Sequence, residues 1–337
     1  MSKRWVNRPD GSTWGDWGDE DQLGRLNLVT PEKVRQGIAE VEHGLIFCLS
    51  LPLDYPGGSL LSPVRFPPEL SPVTRNGKDY YNYHWHEIDP NLKDIASDEK
   101  VTLYTQYSTQ WDGLAHRGAL FDINSDGVEE PVYYNGYQAD EYLVIGEDGS
   151  VHASALGIEN MAAHGVQGRG VLVDLFSECG ETPRQQVGYD QLMMILEKDQ
   201  VIVEPGDFLC LWTGFDRVVL RMKGQPDSSL KSACAVLDGW DDRLLNWITD
   251  SGIAALIADN QAVEALPGAQ EARITHTRLP LHHHCLFKLG LPLGELWYLA
   301  ELAAWLRKHG RSRFLLTAPP LRLTGAVGSP VTPIATV

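Results

Sequence analysis

The chain has 337 residues, of which 43% are hydrophobic, and its formal net charge is −17. An acidic surface repels phosphate backbones, so this charge argues against a nucleic-acid partner. No stretch approaches the roughly 20 consecutive apolar residues of a membrane helix, and the polar N-terminus lacks the apolar segment of a signal peptide. Five cysteines without a paired spacing indicate a reducing compartment, so we expect a cytoplasmic protein.

The N-terminal third predicts an arm, a helix and a long irregular segment. Residues 1–35 predict an extended arm rich in tryptophan and glycine, which we expect to pack on a neighbouring subunit. The arm leads into a helix whose start is marked by Thr30 as the cap and Pro31 in the first turn. Residues 52–100, rich in proline, glycine, aspartate and tyrosine, predict a long ordered excursion, and residues 101–108 alternate like a strand.

The second half of the chain alternates predicted helices with predicted buried strands. Amphipathic periodicity predicts helices over residues 154–170, 189–200, 238–251 and 294–308. Short apolar runs predict strands over residues 171–176, 207–214, 254–260 and 314–320. This alternation indicates a layered α/β fold, and without a linker or repeat we expect one domain over residues 1–337.

The densest polar cluster of the sequence begins at residue 106. Gln106, Gln110 and Asp112 can converge on one point, because alternate residues of a strand face the same side. His116 follows across a turn. Carboxylate oxygen, amide oxygen and imidazole nitrogen together suit a divalent cation. On spacing alone, the favoured alternative is a hydrogen-bonded turn without a metal.

A second polar cluster combines His282, His283 and His284 with Glu295. Three consecutive side chains cannot all face one way, so at most one or two of these histidines reach a metal. We expect Glu295 to open the helix over 294–308, where a carboxylate is favourable by itself, so a helix cap is the alternative to a ligand role. Two further acids, Asp259 and Glu264, follow a buried strand and are expected to lie behind the ligands.

These motifs resemble the cyclase family, which includes bacterial kynurenine formamidase and isatin hydrolase. The family pattern His-x-Gly-Thr-His-x-Asp-x-Pro-x-His aligns with residues 106–116, where Thr109, Asp112 and His116 match. The later pattern His-x-x-Leu-Leu-x-x-Gly-Ile-x-Ile-x-Glu aligns with residues 283–295, including His283 and Glu295. The blocks WGDEDQLGRLNLVTPEKV, GRGVLVD, PGDFLCLWTG and DNQAVEALP also resemble the longer members, so the resemblance covers nearly the whole chain.

The chain departs from the family pattern at the first two histidines, which are Gln106 and Gln110 here, and at the proline, which is Leu114. Glutamine is a neutral oxygen donor and a poorer ligand for zinc than imidazole. Oxygen-rich ligation shifts the preference toward manganese. The pattern therefore resembles a longer subgroup in which glutamine replaces a motif histidine.

The resemblance implies a swivelling β/β/α fold with a mixed β-sheet and flanking helices, and a homodimer or homotetramer. It implies a metal-dependent hydrolase that uses Mn²⁺ or Zn²⁺ to cleave a small amide, lactam, imide or ester, aromatic substrates included. The implied ligands are Gln106, Gln110, Asp112, His116, His283 and Glu295. Asp112 and His116 are the implied catalytic residues, with His116 as general acid and base. Two alternatives stay open: a cyclase or dehydratase acting on a carbonyl compound, and a catalytically silent ligand-binding protein.

Three residues are candidates for substrate contact. Trp111 lies inside the first motif, Trp85 belongs to the aromatic run of the excursion, and Arg65 is suited to hold a carboxylate. The plainer alternatives are a packed aromatic core and a structural salt bridge.

Overall fold

A nine-stranded mixed β-sheet forms the centre of the molecule. The computed structural model describes residues 3–266 and 277–337. In chain order the strands of this sheet are β1 (Ile46–Cys48), β2 (Gln110–Asp112), β3 (Gln167–Asp174), β4 (Phe208–Trp212), β5 (Ala255–Ala258), β6 (Leu293–Glu295), β7 (Arg313–Thr317), β8 (Gly328–Pro330) and β9 (Ile334–Thr336). They lie side by side in the order β1-β9-β7-β3-β4-β5-β6-β2-β8. Strands β3 to β6 are parallel, and the other neighbours are antiparallel.

The central strands β4 and β5 are apolar throughout because both faces of the sheet are covered. Successive side chains of a strand point to opposite faces, so Phe208 and Cys210 of β4 pack in one core cluster and Leu209 and Leu211 in the other. This two-sided burial explains the continuous apolar runs of the sequence. The mixed sheet and its covering helices confirm the predicted α/β fold.

Nine α-helices surround the sheet in the described part of the chain. They are α1 (Pro31–Ala39), α2 (Ala139–Tyr142), α3 (Ile158–His164), α4 (Phe176–Cys179), α5 (Tyr189–Lys198), α6 (Phe215–Arg221), α7 (Asp242–Ser251), α8 (Pro280–His282) and α9 (Ala300–Lys308). The predicted start of α1 is confirmed, because the Thr30 hydroxyl accepts a hydrogen bond from the backbone N–H of Lys33. No helix of the described ranges has the length and apolar character needed to cross a membrane.

Two predicted helices begin or end in the wrong place. The helix predicted over 154–170 is limited to α3, because residues 167–170 belong to β3. Gly170 allows β3 to pack closely on its neighbour, since a Cβ at this position would lie 2.4 Å from the Phe314 ring. The helix predicted over 294–308 starts only at Ala300. The Asp216 carboxylate accepts hydrogen bonds from the N–H groups of Leu299 and Ala300 and so sets that start.

The N-terminal arm packs on its own chain through two buried tryptophans, and its contact with a neighbouring subunit stays a prediction. Trp5 and Trp14 are 2% and 0% exposed, and the Trp14 indole donates to the Phe287 carbonyl. The arm also contains a 3₁₀ turn, Gly24–Leu28. The first two residues of the predicted arm lie outside the described residues.

The long excursion contains short β-hairpins in place of a helix or a continuous strand. They pair Glu69–Pro72 with Glu99–Thr102, Thr74–Arg75 with Lys78–Asp79, and Tyr83–His84 with Ile95–Ala96. The strand predicted over 101–108 is therefore only the exposed end of the first hairpin. Other two-stranded pairs follow: Ala119–Phe121 with Glu130–Val132, Leu143–Ile145 with Val151–Ala153, and Gln186–Val187 with Val236–Leu237.

Candidate metal centre

The adjacent antiparallel strands β2 and β6 bring the carboxylates of Asp112 and Glu295 close together. In their register Gln110 lies opposite Glu295, and Asp112 lies opposite Leu293. Gln110 and Asp112 face the same side because they are two residues apart on the strand. The intervening Trp111 faces the opposite side, where it is fully buried.

Asp112, His282 and Glu295 form a compact buried cluster. One potential ligand atom of each residue lies within 4.8 Å of the others. The His282 Nε2 atom is 3.2 Å from a Glu295 carboxylate oxygen and 3.9 Å from Asp112 Oδ2. Glu295 occupies the end of β6 and not a helix N-terminus, so its expected alternative role as a helix cap is wrong.

The histidine in this cluster is His282, whereas the sequence alignment pointed to His283. The His283 ring packs against Phe287 with centroids 4.9 Å apart, and it is not a member of the cluster. The chain passes from α8 into a π-helical turn over His283–Lys288. In that turn the His284 Nε2 atom lies 2.8 Å from the Thr249 hydroxyl, so His282 is the one of the three adjacent histidines that reaches the cluster.

Glu264 fixes the orientation of His282. One carboxylate oxygen of Glu264 lies 2.8 Å from His282 Nδ1 and accepts the backbone N–H of the same residue at 2.8 Å, while the other accepts the N–H of Leu281 at 3.0 Å. A carboxylate on Nδ1 directs the lone pair of Nε2 toward the cluster, which is the arrangement of metal-binding histidines in proteins. The second acid expected near the ligands, Asp259, instead binds Thr213 away from His282.

The charges of the cluster are poorly balanced without a cation. Burial, followed by the neighbouring Glu295 carboxylate, raises the pKa of Asp112 to about 7. Burial lowers the pKa of His282, but hydrogen bonds with Glu264 and Glu295 outweigh it and raise that pKa to about 9. A divalent cation bound at this cluster can replace the protons that Asp112 and His282 hold.

Gln110 places its side-chain amide beside the two carboxylates. Its amide NH₂ lies 3.1 Å from Asp112 Oδ1 and 3.4 Å from a Glu295 oxygen, so it bridges the two acids. Its Oε1 atom is buried without a hydrogen-bond partner in the described part of the chain. A half-turn of the Gln110 amide exchanges its NH₂ group and its oxygen, and so turns the oxygen toward the two carboxylates. The donor set therefore fits a divalent cation bound by two carboxylates, one imidazole and one amide oxygen.

His116 borders the cluster and is oriented by Gln106. His116 Nε2 is 3.6 Å from Asp112 Oδ2, and Nδ1 is 3.2 Å from the Gln106 amide. Burial, followed by the charges of His282 and the nearby arginines, lowers the pKa of His116 well below its ordinary value, so its imidazole is neutral. Gln106 contacts this imidazole and not the carboxylate cluster, which differs from its expected role as a direct ligand.

A cavity of about 230 Å³ opens onto the cluster. Asp112, His116, His282 and Glu295 lie in its wall, together with the start of the excursion around Leu61 to Arg65. Of the three predicted substrate contacts, Arg65 lines this cavity and the two tryptophans do not. Trp111 is packed against Trp297 on the other face of the sheet, and Trp85 packs with Tyr80 and Tyr83 in the hairpins.

The backbone beside the cluster adopts an uncommon conformation. Leu296, which follows Glu295, has φ of 56°, and Val263, which precedes Glu264, has φ of 57°. Bulky residues with positive φ are rare, and such strain concentrates at functional sites. One position adjoins the cluster acid Glu295, and the other adjoins Glu264, the acid that contacts His282.

Comparison with known proteins identifies similar proteins over most of the chain. The family profile "Cyclase: Putative cyclase" matches residues 49–265. The crystal structure of a novel cyclase is 30% identical, with a TM-score of 0.74 and 97% of each chain covered. Isatin hydrolase A from Labrenzia aggregata, bound to benzyl benzoate, is 13% identical, with a TM-score of 0.56 over 91% of this chain and 98% of its own.

A second isatin hydrolase A, from Ralstonia solanacearum, is 14% identical, with a TM-score of 0.55 over 91% of this chain and 97% of its own. At this identity the two isatin hydrolases show a shared fold. Among curated proteins, none matches the sequence significantly.

Proposed function

This chain belongs to the cyclase family, and from that membership and the geometry of the site we propose that it is a metal-dependent hydrolase of a small amide, lactam, imide or ester. The observation that carries the proposal is the buried cluster of Asp112, His282 and Glu295, whose potential ligand atoms lie within 4.8 Å of one another. Its position in the wall of a cavity gives a small substrate access to the cluster.

Asp112, His282 and Glu295 would hold the metal, with the Gln110 amide oxygen as a fourth ligand. When bound at such a site, a divalent cation lowers the pKa of a coordinated water and polarises a substrate carbonyl. The set contains three oxygen donors and one imidazole, which favours Mn²⁺ over Zn²⁺, because zinc sites use more imidazole and thiolate. Glu264 holds the His282 ring in place through Nδ1.

His116 would move the protons of the reaction. Its imidazole is neutral and lies in the cavity wall beside Asp112. A neutral imidazole can accept a proton from the attacking water and then deliver it to the leaving nitrogen or oxygen. The Gln106 amide lies 3.2 Å from His116 Nδ1, and with its oxygen turned to that atom it would accept Nδ1–H and leave Nε2 free to accept a proton.

Metal content tests this proposal directly. We expect near-stoichiometric manganese or zinc in the freshly purified protein by elemental analysis, and its loss in Asp112→Asn. Asp259→Asn is a matched control, because Asp259 is also fully buried and lies outside the cluster. Burial and the neighbouring Asp216 raise the pKa of Asp259 well above its ordinary value. Wild-type protein that stays metal-free after incubation with both ions would refute the proposal.

Product analysis separates hydrolysis from the other reactions open to this fold. Metal-loaded protein is incubated with panels of amides, lactams, imides and esters, and products are identified by mass spectrometry. Addition of one water across a cleaved bond supports the hydrolase, with loss expected in His116→Ala. Loss or addition of water without bond cleavage would favour a dehydratase or cyclase. Binding without any turnover would favour a ligand-binding protein.

We also propose that the protein is a homodimer or homotetramer. Several large apolar side chains of the excursion are exposed in the single chain: Val64 (70%), Leu70 (72%) and Ile95 (59%). Apolar groups clustered on one surface segment are typical of contacts between subunits. Light scattering coupled to size exclusion should give a mass of two or four times 37.4 kDa, and a monomeric mass would contradict this proposal.

A further inference from the structure

Three arginines from separate parts of the chain line the cavity beside the metal cluster. Arg65 comes from the excursion, Arg117 follows His116, and Arg278 precedes α8. Their convergence is notable because the protein as a whole carries a net charge of −17. A local group of cations in an acidic protein indicates an anionic ligand at that place.

The three guanidinium groups are not consumed by structural ion pairs. Within residues 3–266 and 277–337, none of them forms an ion pair with a carboxylate within 4.0 Å. Arg65 uses one N–H group to donate to the Gln106 carbonyl at 2.7 Å, which fixes the side chain beside the cavity. A guanidinium has five N–H donors, so most of the hydrogen-bonding capacity of Arg65 remains available to a ligand.

Once a metal is bound, the carboxylates of the cavity wall no longer neutralise the positive charges of the three arginines. Asp112 and Glu295 are the acids of the cavity wall, and a divalent cation bound by them balances both negative charges. The guanidinium charges of Arg65, Arg117 and Arg278 then have no counter-charge in the wall. This step rests on the proposed metal-dependent function.

We propose that the substrate carries a carboxylate group, in addition to the bond that is cleaved, and that Arg65, Arg117 and Arg278 bind this carboxylate at the mouth of the cavity. Arginine suits this role because its planar fork matches the two oxygens of a carboxylate. The remaining wall includes the apolar residues Leu61, Pro63, Leu266 and Leu279. The substrate class is therefore a small carboxylate with an apolar or aromatic body, such as an N-acyl amino acid.

A matched pair of ligands tests the inference by a measurement that does not depend on turnover. Hippurate carries a carboxylate, and its amide, N-benzoylglycinamide, has nearly the same shape without the charge. We expect calorimetric titration of the manganese-loaded protein to show hippurate binding about tenfold or more tighter than the amide. Arg65→Gln, Arg117→Gln and Arg278→Gln should each reduce this preference severalfold, and Arg65→Lys should restore only part of it.

Arg35→Gln provides the matched control. Arg35 lies on α1 and is largely exposed outside the cavity wall, so its loss removes one positive charge from the protein without changing the cavity. It should leave the preference for hippurate unchanged. The same preference in the three cavity variants would place the carboxylate on the metal and overturn the inference. Equal binding of the two ligands, or no binding of hippurate at millimolar concentration, would also overturn it.

A failure of the carboxylate inference can be distinguished from a failure of the proposed hydrolase function. Hydrolysis of uncharged amides together with equal binding of the two ligands would retain the hydrolase and reject the carboxylate. A protein without metal would reject the hydrolase, while titration of hippurate into the metal-free protein would still report on the three arginines.

Discussion

Replacing His282 or His283 by alanine discriminates between the tertiary structure and the family alignment. His282 Nε2 is 3.2 Å from Glu295, and His282 is 3% exposed, whereas the His283 ring lies against Phe287 outside the cluster. Loss of a group that only orients a ligand costs about 10–100-fold in metal affinity. Loss of the ligand itself should therefore cost His282→Ala more than about 100-fold, or about 2.7 kcal/mol. We expect His283→Ala to change the metal affinity by less than about 0.5 kcal/mol.

The assay is titration of metal-free protein with manganese and zinc against a competing chelator, with thermal melting as the check on folding. His282→Ala should remain folded, because Glu264 keeps its hydrogen bonds to the backbone N–H groups of residues 281 and 282. Equal losses of affinity in the two variants, or a loss confined to His283→Ala, would refute the assignment of His282 as the ligand.

Three further outcomes follow from the same contacts. Glu264→Gln should weaken metal binding by about 10–100-fold, because the NH₂ group of glutamine cannot accept the N–H groups that the carboxylate accepts. An unchanged metal affinity in the chelator assay would exclude an orienting role for Glu264. Metal affinity should rise between about pH 7 and about pH 9, because binding requires an ionised Asp112 and a neutral His282. Without metal, the pKa of Asp112 is about 7 and the pKa of His282 is about 9. Titrations at several pH values that give a constant affinity would contradict this direction. Asp207→Ala should lower the free energy of unfolding by about 3–5 kcal/mol in denaturant titration, because it leaves the buried Arg169 guanidinium without its bidentate partner. The metal affinity should be unchanged. A loss of unfolding free energy below about 1 kcal/mol would show that this ion pair is not stabilising.

The α/β fold class could be predicted from the sequence, because the patterns that indicate strands and helices are local. The all-apolar runs of β4 and β5 reflect burial on both faces, and the Thr30 cap with Pro31 marks the start of α1 within four residues. Asp112 and Glu295 could be chosen because they are the acids of two recognisable motifs. Their roles as ligands remain predictions, now supported by their proximity.

Only the tertiary structure decided which neighbours these residues have. Of three adjacent histidines His282 reaches the cluster, while His283 and His284 contact Phe287 and Thr249. The alternation of β2 directs Trp111 away from the cavity. Glu264 reaches His282, and Arg65 and Arg278 reach the same cavity, from positions far apart in the chain. Periodicity and caps are set by residues within one turn or strand, whereas these encounters depend on how the sheet, the excursion and α8 pack, which no local pattern encodes.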